Sequence, residues 1–144
     1  MELSFSLPAN AFDVIDKLDE KVKNVDKDVM GLIGQLVTSD ISLNFRDEKD
    51  PKGDKWKPLK DSTIRAKIKK SGVVRMLQDT GTLKNSLHYN AKDNEVRIGY
   101  TAKYSIFHQL GTKYMPQRKI LPTELDEIDI NSINNILQNY LEVR

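Results

Sequence analysis

The sequence predicts an α+β fold: a small, mainly antiparallel sheet with a central β-hairpin, packed by N-terminal helices and a C-terminal helix. Three observations predict it. Leu87, Tyr89 and Ala91 alternate with polar residues, as do Val96, Ile98 and Tyr100, and Lys92-Asp93-Asn94 between them has a turn-forming composition. A run of apolar residues from Ala11 to Leu36 repeats at steps of four and three, which is a helical stripe. A second such stripe, Ile133, Ile136, Leu137, Tyr140 and Leu141, lies near the C-terminus.

In chain order, Met1–Leu7 alternates Leu3, Phe5 and Leu7 with Glu2, Ser4 and Ser6, a half-buried strand that Pro8 ends. The helical stripe then runs through Ala11, Ile15, Leu18, Val22, Val25, Val29, Leu32 and Leu36, with Asn10 as N-cap. Residues 23–28 (KNVDKD) interrupt it, so a helix pair is expected over residues 10–45, the second member capped by Asp26 and ending near Phe45; one long helix is the alternative. Gly31 and Gly34 weaken the second helix and allow another element to come close. Residues 46–55 form a charged loop around Pro51 and Gly53, expected to be mobile because it has nothing to bury.

Trp56 reads as an anchor that pins this loop to the core, in preference to a platform for stacking a base. A short basic helix opens at Asp61, continues through Ile64 and Ile68, and ends at Ser71-Gly72. Asp79 or Thr80 is expected to cap the helix beginning after Gly81. Tyr104, Phe107 and Leu110 recur at helical spacing, with His108 and Gln109 beside them and Gly111 closing the turn. Arg118–Leu121 reads as a strand beside the hairpin, ended by Pro122, and Asp129 or Asn131 as the cap of the last helix.

A chain of 144 residues is one domain by size, residues 1–144. Cysteine is absent and there are two histidines, which excludes a disulfide framework and leaves little for a thiolate or imidazole metal site. No cofactor and no metal are expected, and no membrane-spanning run is present. The net charge of +2 is segregated. Residues 1–50 carry a net of −5, residues 51–120 a net of +11 and residues 121–144 a net of −4. Such asymmetry fits charges that neutralise one another within the fold, a basic face for nucleic acid, or subunits that meet head to tail.

Two groups of residues have the types that catalysis would use. Asp79-Thr80-Gly81 has the form of an aspartic-protease loop, but that chemistry needs two carboxylates sharing a proton and the chain has one such loop. Ser105 and His108, with Asp79 to orient the imidazole, have the residue types of a hydrolytic triad. No nucleophile elbow accompanies them. No catalytic residue is assigned. A nucleic-acid surface would draw on Lys67, Lys69, Lys70, Arg75, Lys84 and Arg97. Those cations are not interleaved with several aromatics, which weakens that reading.

Four motifs stand in order. Trp56-x-Pro58-Leu59 follows the Asp50-Pro51-Lys52-Gly53 loop, with Thr63 beyond. Leu77-x-Asp79-Thr80-Gly81-x-Leu83-x-x-Ser86 is the second, Tyr104-Ser105-x-x-His108-Gln109-x-Gly111 the third, and Pro116-x-Arg118-x-Ile120-Leu121-Pro122 the fourth. Together they resemble the Mu-like phage virion morphogenesis family, also called tail completion proteins. In place of the family's frequent Pro-Ala-Arg-Pro-Phe, this chain has Pro116-Gln117-Arg118-Lys119-Ile120. The resemblance implies a non-enzymatic assembly protein of a tailed phage or prophage, acting in tail completion or head–tail joining. It would be found in the virion, and in the host cytoplasm during assembly. The expected partners are further copies in a homo-oligomeric ring and other tail or neck proteins. Trp56, Asp79, Thr80, Gly81, Tyr104, His108, Gln109, Gly111 and Arg118 are the expected structural or interface residues.

Overall fold

The computed structural model describes residues 2–6, 26–125 and 127–143. It is an α+β fold, with strands β1 (Glu2–Ser6), β2 (Leu87–Lys92) and β3 (Glu95–Tyr100). Among the described residues the helices are α1 (Lys27–Asp47), α2 (Asp61–Ser71), α3 (Thr82–Asn85), α4 (Ser105–Leu110) and α5 (Glu127–Val143). The sheet order is β1-β3-β2, and β1 pairs antiparallel with β3 from Glu2 opposite Gly99 to Ser6 opposite Glu95. The expected N-terminal strand and hairpin are therefore both present. Pro8, Asn10 and the expected first helix lie outside the described residues, as does the choice between one helix and two over residues 10–45.

The chain clusters into two compact units that alternate along the sequence. One contains residues 2–39, 88–99 and 123–144. Its core is Val29, Met30, Ile33 and Val37 from α1, Ala91, Val96 and Ile98 from the hairpin, and Ile133 and Leu137 from α5. Asp26 caps α1 as expected, its Oδ1 accepting from the N–H groups of Asp28 and Val29, while Oδ2 accepts from the Tyr140 hydroxyl. Gly34 is where α1 and the hairpin meet. A methyl group there would lie 2.6 Å from a ring carbon of Tyr89 and 2.9 Å from Val96. The close approach expected of Gly34 is real, whereas Gly31 has no neighbour within 4 Å.

Three expectations are corrected here. The buried stripe of α1 is Val29, Ile33 and Val37 with Met30, and Leu32, placed on the stripe by the sequence, is 53% exposed. Two apolar stripes overlap in this helix, and the buried one is the stripe that persists through Ile41 to Phe45. The alternation of β2 does not produce a buried face as complete as that of β3. Ala91 is buried but Tyr89 is exposed, because β2 is an edge strand and β3 is central. The last helix starts at Glu127, so Asp129 and Asn131 lie within it and do not cap it.

The other unit contains residues 40–87 and 100–122. Its apolar core is Ile41, Phe45, Trp56, Leu83, Tyr100, Ile120 and Leu121. Phe45 stacks edge-on to Trp56 at 5.4 Å and is tilted against Tyr100 at 6.3 Å. The 46–55 loop, expected to be mobile, is an organised turn. Asp50 Oδ1 accepts from the N–H groups of Lys52 and Asp54, and one antiparallel bridge joins Lys49 to Lys55. A short carboxylate that satisfies the backbone locally holds a loop without burying it.

Candidate functional site

Residues 118–121 were expected to be a strand beside the hairpin, and they are not one. Their backbone groups are taken by side chains instead. Gln109 Oε1 accepts from the N–H groups of Ile120 and Leu121, and its Nε2 donates to the Leu121 carbonyl. The Trp56 indole N–H donates to the Lys119 carbonyl at 2.9 Å, and the Tyr100 hydroxyl donates to the Ile120 carbonyl at 3.1 Å. A segment whose Ile120 and Leu121 N–H and C=O groups are matched this way gains little from a ladder. Arg118 turns the other way: its guanidinium donates to the carbonyls of Lys57 and Pro58, and its own N–H donates to the His108 carbonyl. Trp56, Gln109 and Arg118 thus join the loop after α1, helix α4 and the 118–121 segment into one buried polar frame. Tyr100, whose sequence pattern marks it only as a strand residue, belongs to this frame, and burial pushes its phenol pKa far up.

Helix α4 faces opposite to the way its apolar spacing suggests. Tyr104, Phe107 and Leu110 are exposed, and Ser105 and Gln109 are buried. Gln109 decides the orientation, since three buried hydrogen bonds need it inside and leave the apolar residues outside. Gly111 ends the helix as expected, with its N–H on the Phe107 carbonyl. Its φ of +74° and a Cβ position 2.9 Å from the Gln117 nitrogen together exclude a side chain there. Beyond it, Thr112 Oγ1 accepts from the N–H groups of Tyr114 and Met115, closing the next turn.

The catalytic constellation does not assemble. The Ser105 hydroxyl is fully buried, with no hydrogen-bond partner among the described residues. His108 packs edge-on to Tyr104 at 6.1 Å, and its pKa is lowered by burial and then by the Arg118 charge. Asp79 is exposed and accepts from Lys70 at 2.9 Å, which lowers its own pKa, so it orients no imidazole. It does not cap α3 either. Gly81, at φ +80°, is the N-cap, and Thr80 Oγ1 reaches the Thr82 N–H only at 3.4 Å. No group of His, Asp and Glu among the described residues is arranged to hold a metal.

Three of the six candidate nucleic-acid cations are engaged within the fold. Lys70 is paired with Asp79, Arg97 with Glu95, and Arg75 donates to the Arg46 carbonyl. Lys67 and Lys69 lie on α2, none of whose residues is buried. Arg97 belongs to the other unit.

Residues 10–142 match the phage virion morphogenesis family. The Mu-like prophage FluMu G protein 1 of Haemophilus influenzae is 30% identical over 112 residues, which cover 76% of this chain and 77% of that relative. No solved structure matches the chain significantly.

Proposed function

Because the chain belongs to the phage virion morphogenesis family, we propose that it acts in tail completion or in joining head to tail, as a homo-oligomeric ring bound to other tail or neck proteins. Its role in phage structure and morphogenesis follows from the family itself. The single observation that supports the reading is a match to the phage virion morphogenesis family that spans nearly the whole chain, from residue 10 to residue 142, and takes in all four motifs. The structure adds a reason for the motifs. Trp56, Gln109 and Arg118 hold loops in place, and Gly111 permits a turn that no other residue would make. Conformational precision of this kind serves contact with neighbours and needs no catalytic chemistry, so the chain is read as non-enzymatic.

Charge segregation supports the ring. A subunit with a basic middle and acidic ends meets its neighbour head to tail, and such a heterologous contact closes into a ring when the rotation allows. The chain would reside in the virion and, before that, in the host cytoplasm. Among the described residues no helix is long and apolar enough to cross a membrane. Mass spectrometry of purified particles tests the placement, and sedimentation of the purified chain tests the ring. The reading expects the chain in particles at a fixed ratio to tail proteins, with association that weakens as salt rises. Particles without it, or a monomer at every concentration and salt, count against it. The nucleic-acid reading would require salt-sensitive DNA affinity, and half of its six cations are engaged within the fold.

A further inference from the structure

We propose that the outward face of α4 and the turn after it, built by Ile106, Phe107, Leu110 and Tyr114 and flanked by Tyr104, is the surface on which a second copy of this chain docks. The inference rests on the ring reading above and names the surface that makes the ring. These side chains stand outside the hydrogen bonds that Gln109 makes to hold α4. The inward side of α4 is set by Ser105 and Gln109, and polar outward residues would leave the Gln109 bonds intact. Yet Phe107 is 53% exposed, Leu110 66% and Tyr114 81%. Single exposed apolar residues are ordinary on a protein surface, but a cluster on one short helix and its turn marks an interaction site. The face is also pre-formed. Gln109 fixes the helix from below, Gly111 closes it and Thr112 fixes the turn, so little ordering remains for the moment of binding. Its aromatic content is that of the residues that dominate interface energetics.

Charge selects the occupant. Lys103 and Lys113 flank the face, Lys113 with its ammonium 5.7 Å from the Tyr114 ring centre, and both lie in the segment of net +11. Two such faces cannot pair with each other, because like-charged rims would meet. The complementary surface is acidic, and every copy carries acidic segments at its two ends. The contact is therefore head to tail, basic apolar face to acidic end, and it propagates around a ring.

Sedimentation velocity on the full chain tests this, with wild type beside F107D/L110D, K103E/K113E and I68D. Ile68 is an exposed apolar residue on α2, outside α4 and outside both acidic ends, and serves as control. Thermal melts by circular dichroism verify folding, and L110S/Y114S replaces the aspartate pair if that pair melts early. We expect F107D/L110D to weaken self-association by about 30-fold or more. K103E/K113E should weaken it at low salt only, and I68D should leave it unchanged. Association that survives both α4 variants overturns the surface and leaves the ring standing. A wild-type chain that stays monomeric overturns the second copy as occupant, and with it the ring; the assembly role then still rests on the presence of the chain in particles.

Discussion

Gln109 accepts two backbone N–H groups and donates to a carbonyl of the same segment, and nothing else in the described fold offers those groups a partner. Replacing it by alanine strands them in a buried site. We expect Gln109→Ala to lower the unfolding free energy by about 3 kcal/mol, measured by urea denaturation, since each orphaned buried group costs about 1–3 kcal/mol. A loss below half a kilocalorie would show that the 118–121 segment has another hold. His108 makes a prediction about pH. Burial and the Arg118 charge lower its native pKa below the ordinary 6.5, so the unfolded chain takes up a proton first as pH falls. Its contribution is complete above 6.5 and is lost as pH drops through that value toward the native pKa. Stability should therefore fall between pH 6.5 and the carboxylate range, and His108→Gln should flatten that fall in denaturation midpoints taken across the window.

At the scale of elements, α1 and α4 show what can be read in a sequence and what cannot. The periodicity of each helix was legible, and so were the Asp26 cap, the Trp56 anchor, the hairpin and the closing Gly111. Which face turns inward was not. In α1 two apolar stripes compete, and only their continuation to Phe45 separates them. In α4 the amphipathic pattern points the wrong way, because the contacts that orient Gln109 come from residues eleven and twelve positions later. For the same reason the 118–121 segment looked like a strand: its composition fits one, but its partners are side chains distant in sequence. Gly34 tests the packing of α1 on the hairpin. Alanine there gains about 1 kcal/mol of helix propensity and loses about 1–3 kcal/mol by overpacking against the root of the Tyr89 ring. We expect Gly34→Ala to lower the unfolding free energy by about 1 kcal/mol and Gly31→Ala, with open space around it, to raise it by up to about 1 kcal/mol. Thermal melts of the two variants side by side decide this, and equal shifts would refute the close contact.

For the whole molecule, charge segregation and the outward apolar face of α4 bear on the same question, which is what this chain assembles with. Neither supports an active site: the hydroxyl of Ser105 is sealed, and the Asp79 carboxylate is spent on Lys70. Both suit a subunit that is finished only in an assembly, and the family match places that assembly in phage virion morphogenesis. The most direct measurement is electron microscopy of the lysate from a phage or prophage in which this gene alone is deleted, with the wild-type chain and F107D/L110D supplied in trans. The account predicts heads and tails that form but remain unjoined or incomplete, with infectious particles restored by wild type and not by the variant. Complete, infectious particles in the absence of the chain would contradict it.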